Sequence, residues 1–174
     1  MERLLRAGDK TQMGNLTLFH IGCGGDYQEG FVNIDRSDIS PRGKKTKIDL
    51  IFDIGQKWPY DESNFVDGIV SMHVLQQLHW RQLIVCIRES NRVLKEGGVM
   101  RFGCPTIEMA SYDVDYLLGW NNVNLFSAIL LERVFVRLGF REFYKKEFGE
   151  STLPILATVD NREDRGTHYF EAIK

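Results

Sequence analysis

No run in this chain approaches the roughly 18 apolar residues that cross a bilayer, and no leader-type apolar segment follows the charged opening Met1-Glu-Arg-Leu-Leu-Arg6. A protein without a membrane span, retained in the cytoplasm, is the expectation. Cysteine is scarce: Cys23, Cys86 and Cys104 are odd in number, far apart and never in Cys-x-x-Cys spacing. That excludes a disulfide framework, a zinc module and a redox pair, and points to reduced thiols. Neither sign of charge dominates, with 26% charged residues and a formal net charge of −2. No global field therefore draws nucleic acid or anionic lipid, and neither is an expected partner. Cysteine, histidine and carboxylates never cluster at ligand spacing, so no metal is expected. The 174 residues suffice for one domain, 1–174, in which about two-thirds of the unfolded surface is buried. Its first 15 residues read as a loose polar arm.

What is present is concentrated in Leu18-Phe-His-Ile-Gly-Cys-Gly-Gly-Asp-Tyr-Gln-Glu-Gly-Phe-Val-Asn-Ile-Asp35: an apolar strand, a glycine turn, a short connection and a second strand ending on a carboxylate. Gly22 and Gly24 permit a sharp turn and close approach of a ligand, with amide groups free to point at it. Asp35, at the carboxyl end of a strand, is placed to accept from both hydroxyls of a ribose.

A dinucleotide site requires Gly-x-Gly-x-x-Gly opening a full helix, with the acidic residue about 20 positions on. Here the third glycine is replaced by Tyr27, and Asp35 follows Gly22 by only 13 positions. Asp26 adds a negative charge where phosphates would lie. A nucleoside that lacks a pyrophosphate and carries a cationic centre fits better than a nicotinamide cofactor.

Ile21-Gly-Cys-Gly24, Asp35, Asp53-Ile54, Trp58-Pro-Tyr60, Val66-Asp-Gly-Ile-Val-Ser-Met-His-Val-Leu75 and Glu89-Ser-Asn-Arg-Val-Leu-Lys-Glu-Gly-Gly98, in this order and spacing, resemble the class I S-adenosylmethionine-dependent methyltransferases. The likeness covers about residues 17 to 105, and the short glycine-to-Asn-Ile-Asp connection resembles one small branch of that family. It implies a Rossmann-like, doubly wound α/β fold: a mostly parallel seven-stranded sheet with an antiparallel C-terminal strand and helices on both faces. S-Adenosyl-L-methionine is the implied cofactor. Asp53 would accept from the adenine amino group, with Ile54 and Met72 flanking the base, and Gly22, Cys23 and Gly24 would hold the methionyl part through backbone groups. A loop aspartate capping a turn is the competing reading of Asp53.

His73, after the buried strand Gly68–Met72, is the candidate general base, against a structural, hydrogen-bonded histidine. Many relatives carry Glu-His where this chain has Gln76 and Gln77, an acidic residue at the place of His20, and glycine at Asp26. Trp58-Pro59 either lines the substrate side or packs a turn. Cys104 reads as a packed thiol before a nucleophile, and the basic stretch Arg42, Lys44, Lys45 and Lys47 as a solvated loop. Trp80, Leu83, Ile84, Ile87 and Leu94 form one helical face, ended by Gly97-Gly98. Leu125, Phe126, Ile129, Leu130, Val134 and Leu138 form another, ended by Gly139. Phe140–Phe148 and Thr167–Lys174 read as a closing antiparallel pair. Thr106–Asn124, aromatic and acidic, is the segment expected to bind a small-molecule or carbohydrate acceptor. The chemistry expected is methyl transfer, with a non-catalytic, degenerate fold serving as an interaction module as the alternative.

Overall fold

The computed structural model describes residues 16–40, 43–109, 122–159 and 167–174. The N-terminal arm, most of the acceptor segment (110–121) and the link 160–166 lie outside the described residues. Seven strands form one sheet: β1 Leu18–Ile21, β2 Val32–Asp35, β3 Leu50–Ile51, β4 Val66–Met72, β5 Leu94–Cys104, β6 Glu142–Lys146 and β7 His168–Ile173. Their order is β3-β2-β1-β4-β5-β7-β6, with β7 antiparallel to both its neighbours and the first five strands parallel. The mostly parallel α/β architecture is the one expected. Because β1 is followed outward by β2 and β3 on one side, while β4 returns to its other side, strand order reverses between β1 and β4. Ligand clefts form at such a reversal, outside the carboxyl ends of the strands.

A parallel pair normally needs a helical crossover, yet the ten residues between β1 and β2 contain none. Buried Asn33 does the organising instead. Its amide nitrogen donates to the Gln28 carbonyl at 2.9 Å and to Asp49 Oδ2 at 3.0 Å, while its Oδ1 accepts from the Gln28 amide at 2.8 Å. One side chain thus fixes the connection and ties it to the strand beyond.

Among the described residues, two α-helices cover one face: α1 Trp80–Val93 and α2 Ala128–Arg137. Both differ in detail from the sequence pattern. Helix α1 buries Leu83, Cys86, Ile87, Ser90 and Val93, whereas Trp80 stays 43% exposed. It stops at Val93, because Leu94 is already extended (ψ 141°) and pairs with Val66, so Gly97 turns the chain within β5 rather than capping the helix. Helix α2 buries Leu131 and Phe135 and leaves Ile129 61% exposed. The reason is aromatic: Phe135 stacks on Phe102 of β5 with centroids 4.8 Å apart, and that fixes the helix rotation. Its end matches expectation. Phe140 N–H bonds the Phe135 carbonyl and Gly139 N–H that of Val136, a Schellman cap with Gly139 at φ +105° and Phe140 packed back on Phe135.

The opposite face carries the 3₁₀ helix Pro154–Val159, whose Leu156, with Leu153, closes over Leu18, Val70 and Val99. Beside it lies a fully buried ion pair. Arg101 and Glu171 face each other across the β5–β7 register with Nη1 and Oε1 3.5 Å apart, both at 0% exposure. Glu171 also accepts from the Ser151 hydroxyl and from the Thr152 amide at 3.0 Å, and Arg101 donates to the Glu147 carbonyl at 3.1 Å. The pair therefore staples the approach to the 3₁₀ segment onto the sheet.

Candidate functional site

The glycine turn follows β1 directly. Gly22 (φ +68°) and Gly24 (φ +55°) both adopt the left-handed region, and a Cβ on Gly22 would come within 2.4 Å of Val74 Cγ2. The turn amides do not point at a ligand, which corrects the expectation for them. Gly22 N–H and Cys23 N–H both donate to the Ile34 carbonyl, at 2.8 and 3.2 Å, and Gly24 N–H donates to Asp35 Oδ2 at 2.7 Å. With its donors spent on β2, the turn is no anion nest.

Seven of the eight residues singled out in the sequence line a single cleft of about 820 Å³: Gly22, Gly24, Asp35, Asp53, Ile54, Met72 and His73. They arrive on the carboxyl ends of β1, β2, β3 and β4, at the reversal of strand order. Cys23 is not among them. Its side chain is buried, 4% exposed, and burial together with the Asp35 carboxylate pushes its thiol up to about 12.

Asp35 uses each carboxylate oxygen once, Oδ2 for Gly24 N–H and Oδ1 for Arg36 N–H, both at 2.7 Å. A carboxylate has about four lone-pair sites. Capacity for two further donors remains. Asp53 Oδ1 caps a turn by accepting Gly55 N–H at 2.8 Å, the competing reading offered for it, and the residue also lines the cleft. His73 sits at φ +59°, unusual for a residue with a side chain, and its Nε2 is 2.7 Å from Thr167 Oγ1.

Several lining residues carry no motif and were not legible in the sequence: Arg36, Leu78, Gln82 and Val123. The nearest signal was the Gln76-Gln77 pair. Gln76 is buried and its carbonyl accepts the amides of Val123 and Asn124, at 2.9 and 3.0 Å, bringing the end of the segment Thr106–Asn124 to the cleft. Trp58 takes the packing alternative, 1% exposed, with Nε1 donating to the Ile54 carbonyl at 3.0 Å. In the basic loop, Lys45 pairs with Asp38 at 3.9 Å and Lys47 with Glu29 at 3.2 Å, which accords with a solvated loop.

Two histidines, buried His20 and partly buried His168, set solution behaviour. His20 is 1% exposed beneath the cleft, and burial lowers its pKa below 6.5 against the opposing pull of Asp26, Asn33 and Asp35. Burial and Lys145 lower His168 likewise, with Glu108 and Glu147 opposing. Below pH 6.5 the unfolded chain takes up protons that the folded chain refuses, so stability falls as pH drops from about 6.5. Urea midpoints should accordingly be lower at pH 5.5 than at pH 7.5, and His20→Gln should flatten the difference; equal midpoints in the wild type would contradict this. All three cysteines are free and buried, with Cys86 pushed up to about 12 and Cys104 also raised, both by burial. Ellman's reagent should find no reactive thiol in the native protein and three after unfolding. Rapid labelling of the native chain would show that one of these sites opens.

A family model described as a methyltransferase domain matches residues 14–102. No curated protein matches the chain. Among solved structures, an S-adenosylmethionine-dependent methyltransferase from Archaeoglobus fulgidus is 15% identical, with 92% of this chain and 87% of that one covered and a TM-score of 0.67. A complex of the Haloferax volcanii Trm112 methyltransferase activator with its methyltransferase partner contains a chain 17% identical, with 96% and 86% covered and a TM-score of 0.62. A Thermotoga maritima S-adenosylmethionine-dependent methyltransferase is 14% identical, with 91% and 82% covered and a TM-score of 0.60. These structures share the fold, and none of the described helices is long and apolar enough to cross a membrane. With more than half of its length matched by the family model and its seven-stranded, mostly parallel sheet shared with these structures, the chain belongs to the class I S-adenosylmethionine-dependent methyltransferase family.

Proposed function

We propose that this chain, as one domain, binds S-adenosylmethionine in the cleft between β1 and β4 and transfers its methyl group to a small-molecule or carbohydrate acceptor. The observation that carries this reading is the spent glycine turn: its three amides bond Ile34 and Asp35, so a pyrophosphate finds no donors there. Two carboxylates, Asp35 and Asp53, face the same space and favour a cationic ligand. The residues present therefore fit the cofactor, which when bound supplies a methyl carbon already activated by a sulfonium.

Asp35 accepts from the ribose hydroxyls, Asp53 from the adenine amino group, and Ile54 and Met72 flank the base. Gly22, Cys23 and Gly24 meet the methionyl part through main-chain carbonyls rather than amides. His73 takes up the proton that the acceptor releases. Alignment and exclusion of water then supply much of the barrier reduction. A cytoplasmic location accords with three free thiols.

Replacing Asp35 by Ala should weaken S-adenosylhomocysteine binding by about 1–3 kcal/mol, the range for leaving buried donors unpaired. It removes an acceptor of Gly24 N–H as well as of the ligand, so Asp35→Asn, which keeps one acceptor oxygen, should lose less. Unchanged affinity in both variants would remove Asp35 from the site. One observation favours a second reading, cofactor binding without transfer: His20, in the place where many relatives carry an acid, is buried and held towards its neutral form.

A further inference from the structure

We propose that Gln82, in the first turn of α1, is a specificity-determining residue that reads the base of the cofactor together with Asp53, donating to ring nitrogen N1 of adenine while Asp53 accepts from the amino group; this rests on the methyltransferase reading above. The orientation of the Gln82 amide is settled by its partner. Its Oε1 accepts His79 N–H at 3.1 Å, and because a main-chain amide can only donate, the side-chain oxygen must face it and Nε2 is the group left over. That nitrogen makes no hydrogen bond among the described residues. Gln82 and Asp53 both line the cleft.

Gly55 brings the two side chains together. A Cβ there would stand 2.6 Å from Gln82 Cβ, 2.8 Å from Gln82 Cγ and 3.2 Å from Asp53 Oδ1, so Gln82 Cγ and Asp53 Oδ1 lie no further apart than the last two distances laid end to end. Only glycine lets the first turn of α1 approach the carboxylate this closely. Asp53 Oδ1 accepts Gly55 N–H at 2.8 Å, which leaves Oδ2 for a ligand. The cleft therefore presents an acceptor and a donor side by side, each held in place before a ligand arrives. The Watson–Crick edge of adenine is their complement, since its amino group donates and the neighbouring N1 accepts. Hypoxanthine reverses both, with a carbonyl oxygen in place of the amine and an N–H at N1. Asp53 alone would reject the carbonyl but could not read N1.

The test is calorimetric titration of the full chain, at about pH 8 where a glutamate is ionised, with S-adenosylhomocysteine and with S-inosylhomocysteine, which differs from it only on that edge. The wild type should prefer the adenine ligand by about 100-fold or more, a factor of about ten for each inverted bond. Gln82→Glu keeps an oxygen to accept His79 N–H, so the cap of α1 survives, and it turns the other group from donor to acceptor. The preference should then fall by about tenfold or more. Gln82→Met has neither the donor nor the cap and should show the same fall, which keeps the test open should the glutamate variant not fold. A residue that only caps α1 would lower both affinities together. A wild type that binds S-adenosylhomocysteine without preference over the inosine ligand, or an unchanged preference in a variant that still binds it, overturns the proposal and leaves the methyltransferase reading in place. A wild type that binds neither ligand overturns that reading, and the proposal with it.

Discussion

Glu171→Ala is expected to destabilise the fold by about 3–5 kcal/mol, the cost of leaving a buried charge without its partner. Arg101 and Glu171 are both at 0% exposure, and Glu171 is the acceptor on which the Ser151 hydroxyl and the Thr152 amide converge. Lys146 Nζ, 3.7 Å away, is partly exposed and relaxes into solvent once the carboxylate is gone. The guanidinium cannot. It stays over the Tyr169 ring, 5.0 Å from the centroid, with Nη2 donating to the Glu147 carbonyl at 3.1 Å. The pair itself is not a net source of stability, because desolvation of two ions offsets their attraction. The double variant Arg101→Met/Glu171→Leu should therefore recover most of the loss, which a urea-unfolding cycle measures directly. A single-variant loss under about 1 kcal/mol would mean that the guanidinium finds water or another carboxylate, and that the staple is unimportant.

Gly22→Ala should abolish most ligand binding, by about 100-fold or more, with a smaller effect on stability. Two costs combine. An alanine in the left-handed region costs about 1–2 kcal/mol, and the new Cβ would lie 2.4 Å from Val74 Cγ2 and 2.7 Å from Cγ1. Val74 lines the cleft, so the clash resolves by moving it into the space that the ligand needs. Gly24→Ala separates the two effects, because its φ is also left-handed at +55° but nothing lies within 4 Å of the added carbon. It should bear the backbone strain alone and lose less affinity. Adding Val74→Ala to Gly22→Ala should restore part of the binding. If Gly22→Ala binds S-adenosylhomocysteine within about threefold of wild type, the cleft described here is not where the ligand sits.

How far the sequence could be read follows from the range of each interaction. The glycine turn and the carboxylates at strand ends are local patterns, and of the eight residues singled out from the sequence seven line the cleft. The direction of the turn amides was not local, since it depends on the Ile34 carbonyl of the neighbouring strand. Helical faces were legible as amphipathic but not in rotation: the apolar stripe of α2 is wide enough to allow either Ile129 or Phe135 inward, and stacking on Phe102 decides it. Gly97-Gly98 resembled a helix stop because glycine turns look alike, whereas the pairing of Leu94 with Val66 ends α1 earlier. The Arg101–Glu171 pair and the contact of His73 with Thr167 join residues 70 and 94 positions apart through the placement of β7, and nothing in local composition marks either.

The most direct test of the account is calorimetric titration of the purified wild-type chain with S-adenosylhomocysteine, with NADH as control. The account predicts saturable 1:1 binding of the nucleoside thioether and none of the dinucleotide, because the cleft offers two carboxylates and a glycine turn whose amides are already spent. Binding of NADH, or of neither ligand, would contradict it.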